Sequence, residues 1–358
     1  MSNARAWDIR LLVDGEVPLG TPVMAFKVST SRYAECDTAE MHLAVDRLAL
    51  QGVRPWFDSM VSTRPDVQLQ LLRRNTKGAS WQTIFHGIAD YVIWSRDNYR
   101  VTIECRDYLS LLLDARVQDA WLNCRASELI ERVVATSGLS SDIDLGSTDS
   151  PATGMTGQFW QVEHKRGSAL AQHRFQTAFD IAFFLAREAN CDLFASGKTI
   201  VARPILSSDD QNAIIHENST GALTTLLYRD LAAPDGVVVH FASWDSRQRS
   251  RTETFFDGHT FSSERPAKGL IHSFRVPGRR LDDLQVMARG KYMRIVAQQR
   301  HVHLRLPGCP DIRPRSFMKL PENAVTAWPD IMGIDRVVSQ VSPTEGFIQD
   351  IVFSERLA

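Results

Sequence analysis

At 358 residues the chain is long enough for roughly two to four domains with substantial cores, and 44% hydrophobic with 23% charged residues is a globular rather than a disordered composition. A formal net charge of −1 argues against a wholesale binder of nucleic acid or anionic membrane. The five cysteines (Cys36, Cys105, Cys124, Cys191, Cys309) are odd in number and lack a CxxC pair, so they read as reduced thiols made in a cytoplasm; with no N-terminal apolar run and no stretch of 18 apolar residues, neither a signal peptide nor a spanning helix is expected.

Taken in order, the chain opens with strand-like apolar runs at Trp7–Val13 and Ala39–Val45, separated by the turn residues Pro18, Gly20 and Pro22. A Pro- and Trp-bearing connector, Leu50–Arg64, leads to Val67–Leu72, where apolar and Gln positions alternate. Phe85–Trp94 is apolar on both faces and predicts a strand covered on both sides. The polar turn Ser95–Asn98 joins it to Tyr99–Cys105, whose strict alternation predicts a half-buried strand. Asp107 then caps a short apolar turn, Leu109–Leu113. These pieces make an all-β unit over residues 1–114.

At Ala115 the period changes. Leu129, Ile130, Val133 and Val134 fall at helical spacing before Gly138, and Ser140–Gly157 reads as a loop. Thr177 and Asp180 form a capping box ahead of a helix over Ile181–Ala189. A hairpin follows, Cys191–Ala195 and Thr199–Pro204 around Ser196-Gly197-Lys198, completing a small α+β domain over 115–205. Strands return at Leu223–Tyr228 and Val237–Ser243, joined by the turn Ala233–Gly236. The polar stretch 246–280 predicts short strands or an arm laid over a neighbour, and Leu281–Arg300 predicts a helix interrupted by Gly290. His301–Leu306, Ile334–Val341 and Gly346–Phe353 close the chain as strands.

Four places carry a family resemblance. The Gly87 strand, a turn and a second strand ending in Cys105-Arg106-Asp107-Tyr108-Leu109-Ser110 form the first. A helix at Glu128-Leu129-Ile130, followed by a second helix and a hairpin, is the next, and the strand pair ending at Trp244-Asp245 the third. The last is a helix and strand followed by Leu306-Pro307-Gly308-Cys309-Pro310 and the Glu345-Gly346-Phe347 turn. This order resembles the phage tail hub (baseplate hub) proteins of the late-control protein D type. The resemblance implies a mainly β fold in which two tail-tube-like β-barrels, 1–114 and 206–245 with 302–358, bracket the α+β domain, with a peripheral arm and helix at 246–301. It also implies an internal duplication, which no alignable repeat in the sequence displays.

The same resemblance implies a structural role: a homotrimeric ring in the virion, assembled in the host cytoplasm, that adapts a sixfold tail tube to a threefold central spike. The implied partners are the tail tube protein, the spike and the tape-measure protein, with DNA passing through the lumen without specific binding. The competing classes are a tail-associated cell-wall hydrolase and a type VI secretion spike-like protein; the latter is disfavoured by the lack of a repetitive β-prism needle before Ala358.

A search for chemistry predicts no enzyme, no cofactor and no metal. Nucleotide-loop, zincin, serine-hydrolase and calcium-loop spacings are all missing. His301 and His303 share a strand face without a third ligand in view, and Glu163 and Glu188 are isolated carboxylates where glycan hydrolysis needs a pair. Asn218-Ser219-Thr220 matches a glycosylation sequon that has no use without secretion. Phe179, Phe183 and Phe184 read as domain core. Between Ser246 and Leu304 twelve Lys and Arg face five acids, a surplus of +7 that leaves −8 on the rest of the chain. This basic segment reads either as a solvated face or as a contact with an acidic partner or a neighbouring copy, with Arg279 and Arg280 as the contact residues.

Overall fold

A computed structural model describes residues 6–58, 64–74, 76–117, 125–146, 176–217, 225–230, 236–245, 250–276, 278–297, 300–320 and 329–355, with the backbone alone for 225–230 and 245. The first block consists of β1 (Trp7–Val13), β2 (Val23–Ser31), β3 (Thr38–Ala44), β4 (Asp66–Arg73), β5 (Gln82–Ser95) and β6 (Arg100–Asp107), all antiparallel in the order β1-β4-β5-β6-β3-β2. The alternation around Tyr99–Cys105 places Val101, Ile103 and Cys105 in the core, where they meet Met41 and Leu43 of β3. Phe85, Ile88 and Ala89 are buried as expected, but Tyr91 and Ile93 are 66% and 53% exposed, so the far half of β5 is covered on one face only. The strand β2 is absent from the sequence reading; a bulge between Val23 and Ala25 breaks its alternation just where it begins.

The α+β unit follows. Helix α1 (Leu109–Asp114) starts where the Asp107 carboxylate accepts the Leu109 N–H at 3.1 Å. Helix α2 (Ala126–Thr136) buries Leu129, Ile130, Val133 and Val134. Ser140–Ile143, expected as loop, forms a strand, β7, because it pairs parallel with a later strand. In α3 (Ala178–Glu188) the capping box is made as predicted, each of Thr177 and Asp180 accepting the other's backbone N–H at 3.1 Å. The hairpin β8 (Cys191–Ser196) and β9 (Thr199–Pro204) completes a three-stranded sheet, β7-β9-β8, under the helices. Phe179 lies in this core with Phe183 tilted against it at 4.3 Å between ring centroids, and Phe183 and Phe184 pack at its margin.

After β10 (Ile215–His216) and β11 (Thr225–Asp230) the chain leaves the large sheet. Val237–Asp245, expected in the second barrel, is instead β12 of a separate four-stranded sheet with β13 (Ser250–Phe256), β14 (Phe261–Ser262) and β15 (Leu270–Arg275). Helix α4 (Leu281–Val296) packs Leu284 and Ala288 against Val239, Phe241 and Phe256. An apolar run shows that a strand will be buried but not in which sheet, and here the Phe-rich strands supplied by the basic segment capture β12. The 246–280 stretch therefore includes short strands with a core of their own.

The chain then returns to the large sheet with β16 (Arg300–Pro307), β17 (Phe317–Lys319), β18 (Ile331–Ser342) and β19 (Gly346–Ser354). Neighbours in this second block run β11-β16-β19-β18-β17, and in the first block β2-β3-β6-β5-β4; both follow the same chain order, and every pairing is antiparallel. Each long hairpin also carries a bulge at an aspartate: pairing skips Asp90 between Ala89 and Tyr91, and Asp335 between Ile334 and Arg336. The duplication invisible in the sequence is thus explicit in the pairing. The blocks fuse where β2 pairs with β18, giving one curled twelve-stranded sheet. The curl brings Trp7 of β1 edge-on to Phe347 of β19, 5.4 Å between ring centroids. The fold is mainly β with an α+β insertion. Among the described residues no helix is long and apolar enough to cross a membrane.

Gly87 sits where β5 passes closest to β6. A Cβ there would lie 2.2 Å from the Arg106 carbonyl oxygen, a backbone atom fixed in the middle of the sheet. Gly87→Ala is expected to destabilise the fold by about 2–3 kcal/mol, read from denaturant unfolding midpoints.

Candidate functional site

The seam between the blocks is also where the α+β unit docks, and it is held by charge. As β2 ends, the Arg32 guanidinium donates to Asp192 of β8 and to Asp335 at the β18 bulge, each at 3.2 Å. The Arg32 N–H donates to the Asp335 carbonyl at 2.9 Å and the Tyr33 hydroxyl to the Asp335 carboxylate at 2.8 Å. One side chain of the first block therefore grips both the α+β unit and the second block. Burial would lower the Arg32 pKa, but Asp192 and Asp335 outweigh it and raise it, so the guanidinium stays charged. Arg315, just before β17, donates to the Ser31 carbonyl at 3.0 Å and lies over the Phe194 ring at 4.1 Å.

Beside this network is a cleft of about 770 Å³ lined by all three units, including Gln68 and His86, Phe194 and Arg203, and Asp311 and Arg313. At its edge the Asp66 carboxylate accepts from the Tyr108 hydroxyl at 2.8 Å, contacts His86 Nε2 at 3.0 Å and pairs with Lys198 Nζ of the β8–β9 turn at 2.9 Å. Partial burial pushes its pKa up, yet the Lys198, Tyr108 and His86 contacts prevail and hold it below the usual carboxylate range. Deeper in, Asp37 accepts the Ser31 N–H at 2.8 Å, and Asp107 takes the Leu109 N–H. Burial lifts Asp37 to about 6; burial, and then the charge of Asp37, lifts Asp107 to about 8. Burial likewise pushes the thiols of Cys36, Cys105 and Cys191 up, so each stays protonated at neutral pH. Arg32, Tyr33, Asp192 and Asp335 thus form one continuous polar network across the seam.

Solved structures with the same architecture give this arrangement a context. The tail protein from Neisseria meningitidis MC58 superposes with a TM-score of 0.66 at 11% identity, over 98% of this chain and 96% of that one. The 43 kDa tail protein of prophage MuSo2 from Shewanella oneidensis gives 0.63 at 10% identity, over 98% of both chains. The E. coli c3393 protein, a component of the type VI secretion system, gives 0.53 at 10% identity, over 98% of this chain and 77% of that one. The chain has the fold of phage tail proteins. No family model matches the sequence, and no curated protein matches it.

Within this tail-protein fold the residues singled out in the sequence are dispersed. Arg279 and Arg280 form the joint between β15 and α4: the Arg279 N–H donates to Ser243 Oγ at 2.8 Å, and the Arg280 N–H to the Asp283 carboxylate at 3.3 Å. Arg280 is exposed and Arg279 half-buried. Part of the basic surplus is used internally. Lys291 lies over the Phe274 ring at 4.7 Å, and Arg294 donates to the Arg187 carbonyl at 2.7 Å, tying α4 to the end of α3. His301 and His303 share one face of β16, opposite buried Val302 and Leu304, and no cluster of three metal-ligating side chains occurs among the described residues. Glu188 ends α3; Glu163, Cys124 and the Asn218–Thr220 sequon lie outside the described residues. Sequence reasoning missed the Arg32, Asp192 and Asp335 network, whose members stand 160 and 303 positions apart. Its one local signal is the charged pair Asp335-Arg336 inside the otherwise apolar run Ile331–Val338.

Removing the Asp335 carboxylate leaves Arg32 with one counter-charge and Tyr33 without its acceptor. Asp335→Ala is expected to cost about 3–5 kcal/mol of unfolding free energy, measured by denaturant titration. Asp107 gives a pH signature. Its folded pKa, about 8, lies above its unfolded value, so the stability it contributes is complete at low pH and is lost as pH rises towards 8. Asp107→Asn keeps an acceptor for Leu109 and removes the titration. Its stability relative to the parent is expected to climb between pH 5 and pH 8, on the order of 1 kcal/mol per pH unit, in melts at matched ionic strength.

Proposed function

We propose that this chain is a structural hub of a phage tail tip or baseplate, acting as a homotrimeric ring in the virion that adapts a sixfold tail tube to a threefold central spike. The observation that carries the reading is the duplicated block: β2-β3-β6-β5-β4 and β11-β16-β19-β18-β17 give each copy two similar sheets, so three copies present six. A fold shared with tail proteins over nearly the full length of both chains supports it. In this role the tail tube protein sits on one side and the spike on the other, the tape-measure protein is a further partner, and DNA crosses the lumen without specific contacts. The function is mechanical, with no catalytic residue; a band in a cell-wall zymogram of the purified protein would reverse that assignment in favour of a hydrolase.

The peripheral sheet, with Arg279 and Arg280 at its joint to α4, is assigned to an acidic partner or to the neighbouring copy. Similarity to the type VI component c3393 supports a second reading as a spike-like protein of a secretion system, and retention of purified phage tube protein by the chain separates the two. The primary test is the mass in solution by light scattering at low and moderate salt. The expected value is three times 40.3 kDa, and Arg279→Glu with Arg280→Glu is expected to weaken assembly or tube binding and to change its salt dependence.

A further inference from the structure

Where α3 of the α+β unit ends, α4 of the peripheral unit passes it closely: a Cβ on Gly290 would stand 3.8 Å from Asn190 Oδ1. Three cations meet at this crossing. Arg187 belongs to the last turn of α3, and Lys291 and Arg294 lie three positions apart on α4, the spacing that puts two side chains on one helix face. Among the described residues Glu188 is the one acid whose charge bears on both α4 cations, and no described carboxylate forms an ion pair with Arg187, Lys291 or Arg294.

Both α4 cations are held in place by uncharged groups. Arg294 donates through Nε to the Gly290 carbonyl at 3.1 Å and through Nη1 to the Arg187 carbonyl at 2.7 Å. Lys291 Nζ lies over the Phe274 ring at 4.7 Å. The carbonyl end of α3 accounts for Arg294, since a helix C-terminus attracts a cation. It does not account for Lys291 on the same face of α4 with Arg187 beside them. Like charges one turn apart destabilise a helix, and partial burial adds to the cost. Burial, and then the Arg187 charge, pushes the Arg294 guanidinium down to about 10, with Glu188 opposing the fall. Burial, then Arg294 and Arg187, lowers Lys291 as well.

We propose that this crossing is an oxyanion site that takes a phosphate group. Three cations less Glu188 leave a local charge of +2, which a phosphate dianion balances and a single carboxylate does not. The donors come from two helices, so they meet the anion from more than one side, and Arg294 keeps its Nη2 for it. Arg187 is exposed while Lys291 and Arg294 are half-buried, so the site opens to solvent on the Arg187 side. A bound phosphate ties α3 to α4 and thereby holds the peripheral sheet against the α+β unit. The site does not depend on the ring proposed above, which is tested by its own mass measurement.

The test is thermal unfolding of the full-length protein at fixed ionic strength, with inorganic phosphate replacing chloride, beside equilibrium dialysis against radiolabelled phosphate. A saturable rise in Tm of about 2–4 °C is expected. Lys291→Met keeps a side chain on Phe274 and removes a repelled charge. It is expected to melt no lower than the parent in chloride and to lose the phosphate response. Arg187→Gln, at an exposed position, is expected to weaken phosphate binding about ten-fold, and Lys268→Gln, an exposed cation elsewhere in the basic segment, to leave it unchanged. A rise of equal size in Lys291→Met and Arg187→Gln would be the general stabilisation that excluded salts give and would overturn the site. No response in the parent would overturn it too, as would an equal response to acetate, which assigns the cluster to a carboxylate. Glycerol phosphate separates the sources: binding tighter than inorganic phosphate supports the site with a phosphate ester as its ligand, and weaker binding supports it with free phosphate.

Discussion

The antiparallel pairing of β2 with β18 is the constraint on which the rest of the molecule depends. It turns two blocks of six strands each, β10 on β17 included, into a single sheet, and it sets the surface on which the α+β unit docks. Register matters more here than raw energy. A slip of one residue would turn Phe26 and Val28, 2% and 1% exposed, out of the core and bring Lys27 and Ser29 in. The Arg32 network fixes that register at the end of β2, where Arg32 and Tyr33 meet both the backbone and the side chain of Asp335. Desolvating an arginine and two carboxylates offsets most of their attraction, so the network contributes specificity of alignment more than net stability, while loss of any one member leaves a buried charge in deficit.

The bulges explain why the alignment point falls where it does. A bulge leaves one residue out of the ladder and bends its strand, and both hairpins use it at the place where the outer edge parts from its first partner. In the second block the freed aspartate is captured by β2. In the first block Asp90 instead holds Arg106 and Arg64. The same backbone device therefore stands at the β2–β18 joint in one half of the sheet and, in the other, beside an edge of β5 that no described strand pairs.

Much of this was legible in the sequence and the rest was not, for identifiable reasons. The capping box at Thr177, the apolar stripe of α2 and the alternation of β6 are local signals, and each yields its element. The strand β2 was missed although Phe26, Lys27, Val28 and Ser29 alternate, because Pro22 and the bulged Val23–Ala25 segment read as a continuing turn. Placement of β12 failed because burial of a strand is written in its own residues, whereas its partner is written in someone else's. The duplication was hidden for a related reason. Matched positions such as Ala89 and Ile334, or Trp94 and Ser339, need only fit their own cores, and what the blocks share is pairing order and an aspartate at the bulge. The seam network was out of reach altogether, since nothing local ties Arg32 to Asp192 and Asp335.

The electrostatics lead in the same direction as the topology. A carboxylate held by Tyr108, His86 and Lys198 and an arginine shared between two acids tie the α+β unit to the large sheet, and burial keeps the thiols of Cys36 and Cys191 protonated. Even the basic peripheral segment directs part of its charge inward, Arg294 to the carbonyl of Arg187 and Lys291 to the face of Phe274. The duplicated block adds a last step: β2-β3-β6-β5-β4 and β11-β16-β19-β18-β17 follow one plan with a bulged aspartate in each, so the two halves of the sheet reach the same backbone geometry with unrelated side chains.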